Sequence, residues 1–263
     1  MKNTILLFLI ILITPSLSLA LTADEIIEKS NLAYYYAAND GKARAKMYIK
    51  DSRGRERYRE MTILRKDIKD GGRQNFYIYF HEPADVSKMV FMVWKQSEGD
   101  DDRWLYLPSI DLVKRIATSD KRSSFAGGVF TYEDVSGRRT GDDTHSLLRE
   151  EKIAGKDAYV IKNVPKDAAL VEFDHYISWI DKQTFLPIKG EYYNDKGVLY
   201  RTIDVEKTAV IDGYPTSIKG VGRNLETGLT TTIEFVDVKY NVGLKEKIFQ
   251  ERYLRKAPKE IEK

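Results

Sequence analysis

"ARAKMYIKDSRGRERYREMTILRKDIKDGGRQNFYIYF", residues 43–80, decides the fold class by its period. Ala43, Ala45, Met47 and Ile49 occupy every second position, and Arg44, Lys46 and Lys50 stand between them. Successive side chains of a strand point to opposite faces, so this is a half-buried strand rather than a helix. Asp51-Ser52-Arg53-Gly54 then turns the chain into an extended run at 58–65, and Asp70-Gly71-Gly72 turns it again into 75–80. Hairpins that follow one another in this way build an antiparallel meander.

The same reading extends downstream. Further strands are expected at 89–94, 103–107, 112–118, 158–163, 172–180, 186–193, 198–206 and 230–238. Turn signals stand at Asn194-Asp195-Lys196-Gly197, Asp212-Gly213 and Glu226-Thr227-Gly228. Roughly eleven or twelve strands with so few helices make an antiparallel sheet that must curl or close. No βαβ unit is present, which excludes a doubly wound nucleotide-binding fold. No linker rich in Pro, Ser or Gly divides residues 21–263, so they read as one domain.

The N-terminus sets the compartment. Lys2, an apolar block from Ile5 to Ile13, Pro15 and the small residues of Ser18-Leu19-Ala20 read as a signal peptide, residues 1–20, cleaved after Ala20. The block is too short for a spanning helix. Thr22 and Glu25 then form a capping box, with Leu21 and Ile26 spaced to staple a helix start. Ile26, Ile27, Ala33 and Tyr34 fall on one side of that helix, and Asn39-Asp40-Gly41 is expected to stop it. The chain has no cysteine, so it makes no disulfide or thiolate metal site and carries no cysteine for a lipid anchor. The expectation is a monomer diffusing freely in the periplasm of a double-membrane bacterium. Lys and Arg number 43 against 40 Asp and Glu, a formal net charge of +3. That balance is not a nucleic-acid footprint. The basic clusters at Arg53 to Arg59 and Lys114 to Arg122 read as solvated strand edges and hairpin ends.

No catalytic set emerges. The three histidines are His81, His145 and His175. Asp142-Asp143-Thr144-His145 lacks the further ligands at defined spacing that a metal needs and reads as a loop or strand start. Asp174 and His175, taken as strand neighbours, should point to opposite faces. There is no G-x-S-x-G elbow and no thiol. Gly127-Gly128 fits neither phosphate-binding glycine pattern. Glu133 and Asp134 are adjacent and suit a helix start better than acid–base chemistry. No enzyme activity, metal or cofactor is expected.

A long curved sheet instead has a concave apolar face that a few short helices do not fill. Alternation offers six inward pairs: Met47 and Ile49, Met61 and Ile63, Phe76 and Ile78, Met89 and Phe91, Trp104 and Tyr106, Ile177 and Trp179. Taken one by one, each pair reads as plain core before it reads as cavity lining. Methionine among aromatics also suits an adaptable pocket for flexible apolar chains.

"RWLYLPSIDLVKRIATSDKRSSFAGGVFTYEDVSGR", residues 103–138, resembles the LolA-like family of outer-membrane lipoprotein-sorting proteins. The resemblance lies in a W-L-Y-L-P strand, basic strand residues, S-F, a small-residue turn and F-x-Y-E-D. "FHEPADVSKMVFMV" (80–93), "SWIDKQTFLPIKGEYYNDKG" (178–197) and "VKYNVGLKEKIFQERYL" (238–254) resemble it as well. The resemblance implies a mainly β fold: one strongly curved antiparallel sheet forming a half-open barrel, with helices as lid or plug over a cavity for acyl chains. It also implies a carrier that takes lipoprotein or other lipid from an inner-membrane export complex to an outer-membrane acceptor. The family's lid-locking arginine has no counterpart that a motif of this chain identifies. Phe125, Phe130 and Tyr132 are expected to cover the cavity mouth with Gly127 and Gly128 as hinge; the competing reading is a rigid loop whose aromatics plug one end. An accessory or sensor module beside an inner-membrane lipid exporter is the alternative function.

Overall fold

The structure, a computed structural model, describes residues 20–69 and 71–261; the signal peptide expected at 1–20, apart from Ala20, lies outside them. Helix α1 (Ala23–Tyr35) starts as expected: Thr22 Oγ1 accepts from the Glu25 amide while the Glu25 carboxylate accepts from the Thr22 amide at 2.8 Å. It ends at Tyr35, ahead of the expected stop, because Asp40 and Gly41 already belong to the first strand.

Six strands follow: β1 (Asp40–Lys50), β2 (Glu56–Asp67), β3 (Gln74–Glu82), β4 (Val90–Lys95), β5 (Asp102–Leu107) and β6 (Leu112–Arg115). After the short helix α2 (Tyr132–Ser136) come β7 (Asp143–Ile153), β8 (Lys156–Pro165), β9 (His175–Asp181), β10 (Pro187–Tyr193), β11 (Leu199–Ile211), β12 (Tyr214–Asn224) and β13 (Leu229–Tyr240). All thirteen form one antiparallel sheet in the order β6-β5-β4-β3-β2-β1-β13-β12-β11-β10-β9-β8-β7. The two meanders are joined where β1 pairs with β13, with Met47 opposite Ile233. Strands β6 and β7 stand at opposite edges, so the sheet is open and not a closed barrel.

Strands β7 and β12 fall outside the strand list read from the sequence. As an edge strand, β7 exposes most of its residues and needs no apolar alternation. Strand β12 carries Pro215, Gly220 and Gly222, residues that weaken a strand signal. At Gly222 an added Cβ would meet Val129 at 3.1 Å, so the glycine admits a crossing segment to the sheet.

Both faces of the first meander are apolar. On the concave face Ala45, Met47, Ile49, Met61, Phe76, Ile78, Phe80, Phe91 and Val93 pack with Phe125. On the convex face Leu64, Tyr77, Val90, Met92 and Trp104 pack against the C-terminal segment, through Leu244, Ile248, Phe249, Leu254 of α3 (Arg252–Arg255) and Ile261. In the second meander Ile26 of α1 packs on Ile161 and Ile180.

Candidate functional site

Residues 116–142 link the two meanders and cross the concave face. Within them the chain makes a tight hairpin: the Phe125 amide donates to Phe130 O at 2.7 Å and the Gly128 amide to Phe125 O at 3.0 Å. Phe125 is buried, with ring centroids 5.8 Å from Phe80, 5.6 Å from Phe91 and 5.8 Å from Tyr132. Gly127 has φ +79°, and an added Cβ would come within 2.9 Å of the Arg57 guanidinium. At Gly128 the same atom would lie 3.1 Å from Met47 Cε and Thr231 Oγ1. Both glycines thus let the hairpin tip lie against the sheet, where the Val129 amide donates to Thr231 Oγ1 at 2.9 Å. The hairpin tip is seated against β1 and β13 in this structure.

Thr131 then caps α2, its hydroxyl accepting from the Asp134 amide at 3.2 Å, so Glu133 and Asp134 do start a helix. They also anchor a buried ion-pair network. Glu133 lies 2.9 Å from Lys121, 3.0 Å from Arg122 and 3.4 Å from Arg138. Arg122 reaches Glu172 at 2.7 Å, Arg138 reaches Asp143 at 2.8 Å, and Arg201 pairs with Asp134. Burial pushes the Glu133 carboxyl up, but Arg122, Lys121 and Arg138 outweigh it and hold the group below its ordinary range. Asp134 is held low in the same way, burial being outweighed by Arg201, Arg122 and the Thr131 hydrogen bonds. The solvated-edge reading of Lys114 to Arg122 is therefore corrected for its last two residues: Lys121 and Arg122 are buried cations.

The C-terminal end of α1 is clamped from β2 and β3. Arg65 donates to the carbonyls of Tyr35 and Ala37 and, at 2.9 Å, to that of Ala38. Gln74 Nε2 donates to Tyr35 O at 2.7 Å. A helix end leaves carbonyls without partners, and a cation there complements the helix dipole. No motif marked Arg65, because its partners lie about thirty residues away in sequence.

Between sheet, α1 and crossing segment are two chambers. The first, about 220 Å³, is mostly apolar. Met47, Met61, Ile63, Phe76, Ile78, Phe125 and Phe130 line it, joined by Tyr34, Ile233 and Phe235. Ile49, Met89 and Phe91 lie on the same face but within the packed cluster beside Phe125, and Tyr132 packs there too. The second chamber, about 210 Å³, is framed by the second meander and lined by Tyr176, Tyr192, Phe173 and Ile180 together with Arg122, Glu133 and Arg138. Tyr34, Tyr35, Phe130 and Asp134 belong to both linings and form the wall between. Tyr34 keeps 38% of its surface accessible because that surface faces the chambers. Each chamber is smaller than the usual drug-sized ligand site of about 300–1,000 Å³, and the two together reach that range.

Two expected rows do not line this space. Trp104 and Tyr106 face the convex side under the C-terminal segment; on β5 it is Leu105 and Leu107 that face inward. Ile177 and Trp179 pack with Ala158 and Val160, while their neighbours Tyr176, Ser178 and Ile180 face the second chamber. Period two tells which residues share a face, not which face is concave. Asp174 and His175 are also corrected: Asp174 precedes β9, so alternation does not apply, and the two side chains hydrogen-bond at 2.7 Å. Among the described residues no His, Asp and Glu grouping could hold a metal, and no helix is long and apolar enough to cross a membrane.

Comparison with known proteins places this geometry. No curated protein matches. A DUF1329 family protein from Desulfovibrio piger is 28% identical, with a TM-score of 0.80 over 87% of this chain and 97% of that one. A structure described as an outer membrane lipoprotein-sorting protein domain, from Vibrio parahaemolyticus, is 28% identical, with a TM-score of 0.81 over 89% and 98%. A LolA-superfamily protein from Nitrosomonas europaea shares the fold at 23% identity, with a TM-score of 0.69 over 89% and 100%. The fold is thus that of LolA-like lipoprotein-sorting proteins. A model of a family of uncharacterized proteins matches residues 72–256, more than half of the sequence, and the chain belongs to that family.

Proposed function

We propose that this protein is a periplasmic carrier, exported by its N-terminal signal, that shelters the acyl part of a lipoprotein or lipid and carries it toward the outer membrane. The observation that carries the reading is the apolar first chamber, enclosed between the Met47, Met61 and Ile78 face of the sheet and a separate cover made by α1 and the crossing segment. A buried methylene is worth about 0.8 kcal/mol, so roughly ten of them supply about 8 kcal/mol, near micromolar affinity before ordering costs. That strength holds a lipid in water and still releases it to an acceptor. The likeness to a lipoprotein-sorting domain supports the same reading. The moving part in this account is α1, held at its C-terminal end by Arg65 and Gln74. An inner-membrane export complex as donor and an outer-membrane acceptor complete the scheme, with the carrier acting as a monomer.

The test is a filling substitution. Ala43 lines the first chamber, and Ala43→Phe places a ring inside it. Displacement of a fluorescent fatty acid by methyl myristate is expected to weaken at least tenfold in a variant that folds normally. Unchanged displacement would overturn the first chamber as the acyl site.

A further inference from the structure

The second chamber differs from the first in chemistry. Its wall mixes aromatic rings with groups that can hydrogen-bond, and two of these have nothing to bond to. The hydroxyls of Tyr34 and Tyr192, both in the lining, have no hydrogen-bond partner among the described residues. The other phenols of this region do: Tyr35 donates to Asp134 O at 3.1 Å, Tyr176 to Asp143 at 2.9 Å and Tyr200 to Glu172 at 3.3 Å. Tyr34 keeps 38% of its surface accessible and Tyr192 is half-buried, so both hydroxyls are open to a ligand that enters the chamber. Burial pushes the Tyr34 phenol up to about 12 and raises Tyr192 as well, so at neutral pH both are protonated donors.

The ring of Tyr192 is also held in place. It stacks on Tyr176 at 5.2 Å, and the Arg201 guanidinium covers it at 4.5 Å. Its hydroxyl is therefore positioned before any ligand arrives, which lowers the ordering cost of binding.

Charge tells what the ligand is not. Every cation in the lining is already matched: Arg122 by Glu133 and Glu172, Arg138 by Asp143, Arg139 by Asp142 at 3.2 Å, and Lys189 by Glu191 at 2.6 Å. An anionic group entering beside Arg122 or Arg138 would compete with Glu133 and Asp143, whose side chains are 4% and 1% exposed, and leaving such a carboxylate without its partner is costly. Uncharged hydroxyls or amides would meet the two free phenols and leave the ion pairs intact.

The two chambers share the wall formed by Tyr34, Tyr35, Phe130 and Asp134. We infer that one amphiphile spans this wall, its acyl chain in the first chamber and an uncharged head rich in hydroxyl or amide groups in the second, against Tyr34 and Tyr192. The inference rests on the carrier reading and adds the class of cargo to it.

The structure offers a substitution that fills the second chamber alone. Gly190 lines it, and an added Cβ there would meet only the Tyr192 ring edge, at 3.5 Å, an ordinary contact. The test displaces a fluorescent fatty acid, below micelle concentrations, with three ligands of equal chain length: monomyristoylglycerol, methyl myristate and myristoyl lysophosphatidate. In the native chain, monomyristoylglycerol is expected to displace the probe at least tenfold better than methyl myristate, and better than the anionic lysophosphatidate. Gly190→Phe should remove that advantage and leave methyl myristate unchanged. Tyr192→Phe deletes only a hydroxyl that bonds nothing in the protein, and should reduce the advantage several-fold even if Gly190→Phe fails to fold. An advantage that survives both variants, or stronger binding of the lysophosphatidate, would overturn the inference. Failure of the carrier reading looks different: none of the three ligands displaces the probe, or Ala43→Phe leaves displacement by methyl myristate as it was.

Discussion

The two faces of the first meander have similar sequences and opposite fates. Strands β2 to β5 offer Met61 and Ile63, Phe76 and Ile78, Phe91 and Val93, Leu105 and Leu107 to one side. To the other they offer Leu64, Tyr77 and Tyr79, Val90 and Met92, Trp104 and Tyr106. The convex side is sealed by the C-terminal segment, whose backbone is fastened by Trp94 Nε1 donating to Phe249 O at 2.6 Å and Tyr77 OH donating to Tyr253 O at 2.7 Å. The concave side is covered by α1 and the crossing segment, which leave a chamber of about 220 Å³ against the sheet. A sheet face becomes core or cavity according to what covers it, and the covering segments come from distant parts of the chain.

That contrast is broken most severely from the sealed side. Phe249 is 1% exposed, and Phe249→Ala is expected to cost about 3–5 kcal/mol of unfolding free energy. Affinity per folded molecule for a fatty acid probe should stay within about twofold, because the chamber lies across the sheet; a tenfold loss of affinity would mean that the two faces are not independent.

On the concave side, Glu133→Gln removes the one carboxylate shared by Lys121, Arg122 and Arg138. Breaking a buried pair from one side costs about 3–5 kcal/mol, measurable by denaturant unfolding. The same network fixes a pH dependence. Glu133 and Asp134 lie below their unfolded values of about 4, so the contribution of these two is complete above that pH and is lost as pH falls through the lower native values. Stability from this source should be flat between about pH 5 and 8 and decline below about 4; a decline already at pH 6 would contradict it.

Arg65→Leu sharpens the comparison on a smaller scale. It releases carbonyls at the end of α1, at a cost of about 1–3 kcal/mol, and amide exchange should accelerate in α1 while the C-terminal segment keeps its protection. Equal acceleration in both would show global loosening instead of an opened cover.

Part of the sheet was legible from alternation, because strands such as β1 are wetted on one side and bury the other. The capping box at Thr22 and the helix start at Glu133 were legible for the same reason: each rests on residues three or four apart. What escaped depends on distance. The inward facing of Leu105 instead of Trp104 is decided by a segment some 140 residues downstream. Arg65 is explained only by carbonyls of α1, and the burial of Lys121 and Arg122 only by Glu133 folding back over them. Gly127 and Gly128 read as a hinge in sequence; that they also lie close to Arg57, Met47 and Thr231 depends on residues far away along the chain.

The most direct test of a lipid-carrying concave face is to purify the protein without detergent from the cells that produce it and identify by mass spectrometry what organic solvent extracts from it. The account predicts one acylated molecule per protein chain, lost in Ala43→Phe. Protein that is free of lipid and does not take up a fluorescent fatty acid would contradict it.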